Sequence, residues 1–358
     1  MNDARARTCS LATIASALIL SGCADSPISP SRFLDEVPPH FTLLHRDNVS
    51  ALLVGNGGQV VNLAMTDDLY EIHRDGPWTN EVVNILTRRI FHYVYDDVFD
   101  FLIVSFDPDD PRRDGPLGWN TSIRNDVRGL CWPRHDFSGI YNTPPRLRSV
   151  AMLWRHASLR NGPSLHEIAH TWGASLTPPS DGHWSLSGVG GQLGGWVTGT
   201  LEELEPGLYK GYGPTGAPFH VIANGGNRVP YAPLELYMMG FLPSDSIGPV
   251  EFAVDGEVVD SIGGTFTASS IRFMDDEDRP LKCGPRTPSH LDVPREFGVL
   301  YVVLSAGALS KETLDSIAAD VDKFARAGPD DRNDVYNFWE ATGGRATLRF
   351  GGLLETMF

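Results

Sequence analysis

The stretch SLHEIAHTWGASLTPPSDGHW, residues 164–184, holds two histidines four positions apart, a glutamate directly after the first, and a third histidine further on. On a helix, HEIAH sets His166 and His170 one turn apart, so both imidazoles project from the same face and can share one ion. Glu167 is turned aside from that pair. In an H-E-x-x-H pattern such a glutamate is not a ligand but a base, taking a proton from water and later delivering one to a leaving group. The helix is framed by start signals at Asn161, Gly162, Pro163 and Ser164 and by Gly173 at its expected end. The strand-like run RLRSVAMLW, residues 146–154, stands close before it. This context favours a metal pair over two hydrogen-bonded structural histidines.

With this motif the chain resembles a zincin metallopeptidase, on the metzincin side of that clan, whose extended signature is H-E-x-x-H-x-x-G-x-x-H. His166, Glu167, His170 and Gly173 stand in register with it, but its last position is Leu176, which cannot bind zinc. The segment TPPSDGH, residues 177–183, offers a replacement: a lengthened loop that presents His183 as the third ligand. Glu202, Glu203 and Glu205 in TLEELEPG, and Asp181, are the competing carboxylates. The resemblance also implies a methionine turn beneath the ligands, for which Met238 or Met239, followed by Gly240 in LELYMMGF, is the match. It further implies a tyrosine that assists the oxyanion, with Tyr237 as first candidate and Tyr212 and Tyr231 as others. The stretch of resemblance covers roughly residues 98–245, and only its first motif is specific.

Outward from the motif, the pattern predicts an α+β fold: a twisted mixed sheet packed on the motif helix, with a smaller C-terminal lobe closing a cleft. SALLVGNGGQVVNLAMT, residues 50–66, reads as a hairpin about a Gly/Asn turn, and residues 79–95 read as a helix from apolar positions every three or four residues. FDFLIVSF (99–106) and VLYVVLSAG (299–307) are buried strands, and SKETLDSIAADVDKFARAG (310–328) is an amphipathic helix. The Gly-dense run at 188–199 reads as a mobile loop near a cleft, and PLELYMMGFLP as an apolar turn-like segment. One domain is expected over residues 41–358, with lobes dividing near residues 175 and 176.

The 358 residues, 41% of them hydrophobic, can bury a substantial core, and 29 basic against 45 acidic residues leave a net charge of −16 with no basic run. Nucleic acid is therefore not an expected partner. Arg5 and Arg7 precede the apolar run LATIASALIL, which is too short to span a bilayer and fits a signal peptide. Residues 20–23, LSGC, resemble a bacterial lipobox, which implies cleavage after residue 22 and lipidation of Cys23. Residues 23–40 are Pro- and Ser-rich and read as a tether. Ala24 after the cysteine points to the outer membrane of a Gram-negative cell. In that oxidising compartment Cys131 and Cys283 are the remaining pair and are expected to form a disulfide.

The function expected from the sequence is a membrane-tethered zinc endopeptidase acting on a protein or peptide, with Zn2+ on His166, His170 and His183 and Glu167 as general base. The alternatives are a binding or structural lipoprotein on the same scaffold, or a zinc hydrolase of non-peptide substrates. An intact Glu167 opposes the first alternative, because a binding module has no use for a base.

Overall fold

The structure is a computed structural model that describes residues 33–94, 97–115, 117–173, 182–278 and 281–351. The signal segment, Cys23 and Leu176 lie outside the described residues, as does most of the loop before His183.

An eight-stranded mixed sheet organises the chain: β1 (Phe41–Arg46), β2 (Ser50–Gly55), β3 (Val60–Met65), β4 (Phe101–Phe106), β5 (Gly118–Ser122), β6 (Ser149–Leu153), β7 (Glu296–Ala306) and β8 (Thr347–Phe350). Their spatial order is β1-β2-β3-β7-β4-β6-β5, with β8 also on β7. β7 runs parallel to β3, β4 and β8, and β4 runs parallel to β6. The expected hairpin is present, with Val54 opposite Val61 across the Asn56–Gly58 turn.

β4 and β7 read as unbroken apolar runs because both faces of the sheet are covered. Successive side chains alternate accordingly. Phe101, Ile103, Val299, Tyr301 and Val303 enter one core, whereas Leu102, Val104, Leu300, Val302 and Leu304 enter the other. The second core is closed by α1 (Asp67–Asp75) and α2 (Asn80–Phe91). Thr79 caps α2 by accepting the Val82 amide, so the helix begins where its apolar spacing begins. The first core is closed by α3 (Ser164–Ala169), α4 (Pro233–Met239) and α5 (Lys311–Ala325), and this is the face that carries the histidines.

Three expectations change here. The strand expected in a C-terminal lobe beyond residue 176 lies instead in the main sheet, with β7 between β3 and β4. The tether does not extend to residue 40: Phe33, Leu34 and Val37 pack on the first core, and Arg46 donates to the Leu34 and Asp35 carbonyls. The segment PLELYMMGFLP is not a turn but opens with helix α4, with Pro233 in its first turn and Gly240 at φ 86° as its stop. It lacked a helical period because Leu234 through Met239 are all buried, so no polar face marks it.

The predicted disulfide joins Cys131 to Cys283 with Cα atoms 5.3 Å apart. Closing a loop of 152 positions contributes on the order of 4–5 kcal/mol in the chain-entropy description. Nearby, Arg286 donates from Nε and Nη2 to the Met238 and Met239 carbonyls, so the same segment also caps the C-terminus of α4.

Candidate metal centre

The chain leaves β6 and turns through a short helix, Ser158–Asn161, before entering α3. Gly162 makes this turn at φ 97° with its α-carbon against the backbone of Gly226 and Asn227, where a side chain would collide. Asn227 is fully buried and fixes the entry of α3. Its Oδ1 accepts the Leu165 amide at 3.2 Å, and its Nδ2 donates to the Leu159 and Arg160 carbonyls. α3 ends at Ala169, tightens through His170–Trp172, and stops at Gly173 with φ 74°. The motif helix is therefore short, but it is clamped at its N-terminus and ended by the expected glycine.

His166, His170 and His183 converge with their candidate ligand atoms all within 4.8 Å of one another. The Nε2 atoms of His170 and His183 lie 3.1 and 3.3 Å from that of His166. Ligands at 2.0–2.1 Å from a tetrahedral zinc stand about 3.3–3.4 Å apart, so the spacing fits such an ion. His166 Nδ1 lies 2.9 Å from the Gln192 carbonyl oxygen, which can only accept, so that nitrogen carries the proton and Nε2 keeps its lone pair for the ion. Burial, together with the neighbouring His166 and His183, holds His170 well below its ordinary pKa. It is therefore neutral, as a ligand imidazole must be. Three imidazole nitrogens at the wall of a cavity form the donor set of a borderline divalent ion with an open coordination position.

Glu167 points into the same cavity, which has a volume of about 1140 Å³. The carboxylate is only 5% exposed, and burial pushes its pKa up to about 8. A dication among the histidines would oppose that shift. Two features of β5 set its position. A side chain at Gly118 would meet Glu167 Oε1 at 2.6 Å, so the strand approaches this closely only because 118 is glycine. Asn120 then donates from Nδ2 to the Glu167 carbonyl at 2.7 Å, tying the helix to the strand.

β5 is the last strand of the sheet, and among the described residues no strand pairs with its outer side. Leu117, Trp119 and Ile222 line the cavity while 55%, 49% and 46% exposed, and Trp132 and Pro133 extend the same apolar wall. Among the described lining residues, Glu167 is the only carboxylate, and there is no Lys or Arg.

Trp184, the residue after the third histidine, is held by a residue the sequence did not single out. Glu235, near the start of α4, is 2% exposed. Its Oε1 accepts Trp184 Nε1 and the Leu193 amide, both at 2.9 Å, and its Oε2 accepts the Gln192 and Ala232 amides at 3.1 and 2.8 Å. Burial raises its pKa, against four hydrogen bonds that favour the charged form. The Gly-dense run is correspondingly not a mobile loop: residues 188–196 are buried and wrap this carboxylate. A side chain at Gly191 would run into Glu235, which explains glycine there.

The other named candidates fall elsewhere. Glu202, Glu203 and Glu205 lie on an exposed strand, Glu202–Glu205, paired with Leu208–Lys210 in a separate four-stranded sheet. None joins the histidine cluster, and Asp181 lies outside the described residues. Tyr237, Tyr212 and Tyr231 are not among the residues described as lining the cavity. Tyr231 donates to the Leu165 carbonyl and Tyr212 to Glu202, and among the described lining residues there is no tyrosine. Met238 and Met239 are buried in the core shared with α3, but as the last residues of a helix rather than within a turn. Comparison with family models, with curated proteins and with solved structures finds no match to this chain.

Proposed function

We propose that the chain is a zinc-dependent endopeptidase of zincin-like build, with zinc held by His166, His170 and His183. The observation that carries the reading is the convergence of three imidazoles beside a buried glutamate that is not one of them. When bound, zinc supplies a Lewis acid that lowers the pKa of water and polarises a carbonyl oxygen. Glu167 accepts the proton of the attacking water and returns it to the departing amine.

The outer side of β5, on which no described strand pairs, supports a peptide as substrate, because an extended chain can add to a sheet edge through its own backbone groups. The apolar wall of Leu117, Trp119, Trp132 and Ile222 supports large apolar side chains flanking the scissile bond. The experiment is metal analysis with cleavage of a broad peptide library. Cleavage should occur inside peptides next to aromatic or aliphatic residues, stop with a chelator, and return with zinc. A purified protein that holds no metal, or a metal-loaded one that cleaves no peptide, would refute the proposal.

The same reading places the enzyme on the cell envelope through lipidated Cys23. Intact-mass analysis of the native protein should give a chain beginning at Cys23 with added acyl groups. An unmodified chain beginning elsewhere would sink the anchor while leaving the peptidase untouched.

A further inference from the structure

The histidines coordinate from two separate places, a helix and a loop, and something must keep them in register. His166 rides on α3 and His170 on the tighter turn that continues it, whereas His183 follows residues outside the described set. Just after His183 the chain is tied to a buried carboxylate. Trp184, its immediate neighbour, is 1% exposed and donates Nε1 to Glu235. The Trp184 amide donates to the Leu193 carbonyl at 2.8 Å, and the Leu193 amide donates to the same Glu235 oxygen that Trp184 occupies. The other oxygen accepts the Gln192 amide, and the Gln192 carbonyl accepts His166 Nδ1–H. Two ligands thus reach one carboxylate along short hydrogen-bonded routes: His183 through its neighbour Trp184, and His166 through the main chain of Gln192.

We propose that Glu235 is a positioning residue of the metal centre, setting the orientation of the His166 imidazole and the placement of His183 although it touches neither. The inference rests on the metal-site reading above and adds a residue to it. Its chemistry follows from the donors. All four partners are N–H groups, two on each oxygen, so a charged carboxylate fits and a group with its own N–H does not. Polarised through Gln192, the carboxylate makes His166 a better ligand, as a carboxylate bonded directly to a metal-binding histidine does. A buried negative charge behind two ligands also favours the dication in front of them.

Glu235→Gln keeps the shape but sets a side-chain N–H against backbone N–H groups. Zinc affinity, measured by competition with a chromogenic chelator, should fall by about 10- to 100-fold. The visible spectrum of the cobalt-substituted protein should shift in band position and intensity, because ligand geometry changes. Trp184→Phe removes a single donor from Glu235 and keeps the ring packing, so it serves if the first variant does not fold. It should weaken zinc several-fold and shift the cobalt spectrum in the same direction.

If Glu235 only stabilises the fold, the folded variants will melt earlier yet bind zinc with wild-type affinity and show the wild-type cobalt spectrum. That result overturns the proposal. Failure of the wild-type protein itself to bind zinc or cobalt would instead overturn the metal-site reading, and the role of Glu235 with it.

Discussion

Glu167→Ala should keep its zinc and lose turnover by about two to four orders of magnitude, the range over which a positioned acid–base group contributes. The two halves of this expectation have separate causes. Metal retention follows because the ligand cluster consists of His166, His170 and His183 and leaves the glutamate out. Loss of turnover follows because the remaining described cavity wall offers no second carboxylate to accept the proton. The substitution also removes a carboxyl held at 5% exposure by a strand that approaches only through Gly118. The variant should therefore melt no lower than the wild type without metal, as expected where a site gives up stability for function. Metal content, peptide turnover and melting temperature measured on one preparation decide it. Near-normal turnover at full zinc occupancy would remove Glu167 from its role, and loss of zinc would make it a ligand.

The parts of this molecule that could be read from the sequence are those where a local pattern meets a local cause. His166 and His170 were legible because four-residue spacing on a helix is a geometric statement about one face. β4 and β7 were legible as buried strands from unbroken apolar runs, and the disulfide from the parity of the cysteines. What escaped depends on contacts distant in sequence. Glu235 is a glutamate among apolar residues, and its partners at 184, 192 and 193 lie more than forty positions away. The Gly-dense run reads as a flexible loop by composition, yet Glu235 at Gly191 and main-chain atoms at Gly190, Gly194 and Gly195 leave no room for a side chain. Nothing near β7 indicates that it will enter the sheet between β3 and β4, since that pairing joins segments some 200 positions apart or more. A recognisable signal for Glu235 did exist: a proline in the first turn, a glutamate two positions later and a glycine at the stop bracket α4 as a helix, which makes its only charged residue conspicuous.

His183 is where the sequence departs from the pattern it resembles, and there the expected effect is as large as at Glu167. His183→Ala should lower zinc affinity by more than about 100-fold, beyond the range that loss of an outer hydrogen-bond partner costs, and by about as much as His170→Ala. Two imidazoles one helical turn apart can grip an ion, but they leave two corners to solvent, and such a site exchanges its metal. The third nitrogen closes the triangle, with His183 Nε2 at 3.3 Å from His166 Nε2 and the two rings stacked at 5.2 Å. Gly182, at φ 93°, takes a left-handed backbone conformation that favours glycine on the way into His183. Glu202→Ala, Glu203→Ala and Glu205→Ala should leave zinc affinity near the wild-type value, because the strand that bears them is exposed and pairs within a different sheet. Zinc also binds the folded chain in preference to the unfolded one, so excess metal should raise the wild-type melting temperature and leave that of His183→Ala nearly unchanged. Competitive zinc titration, repeated as a thermal shift, provides two independent readouts. Affinity that survives without His183 and collapses without one of the three glutamates would mean that the third ligand is a carboxylate, and the three-imidazole centre would be wrong.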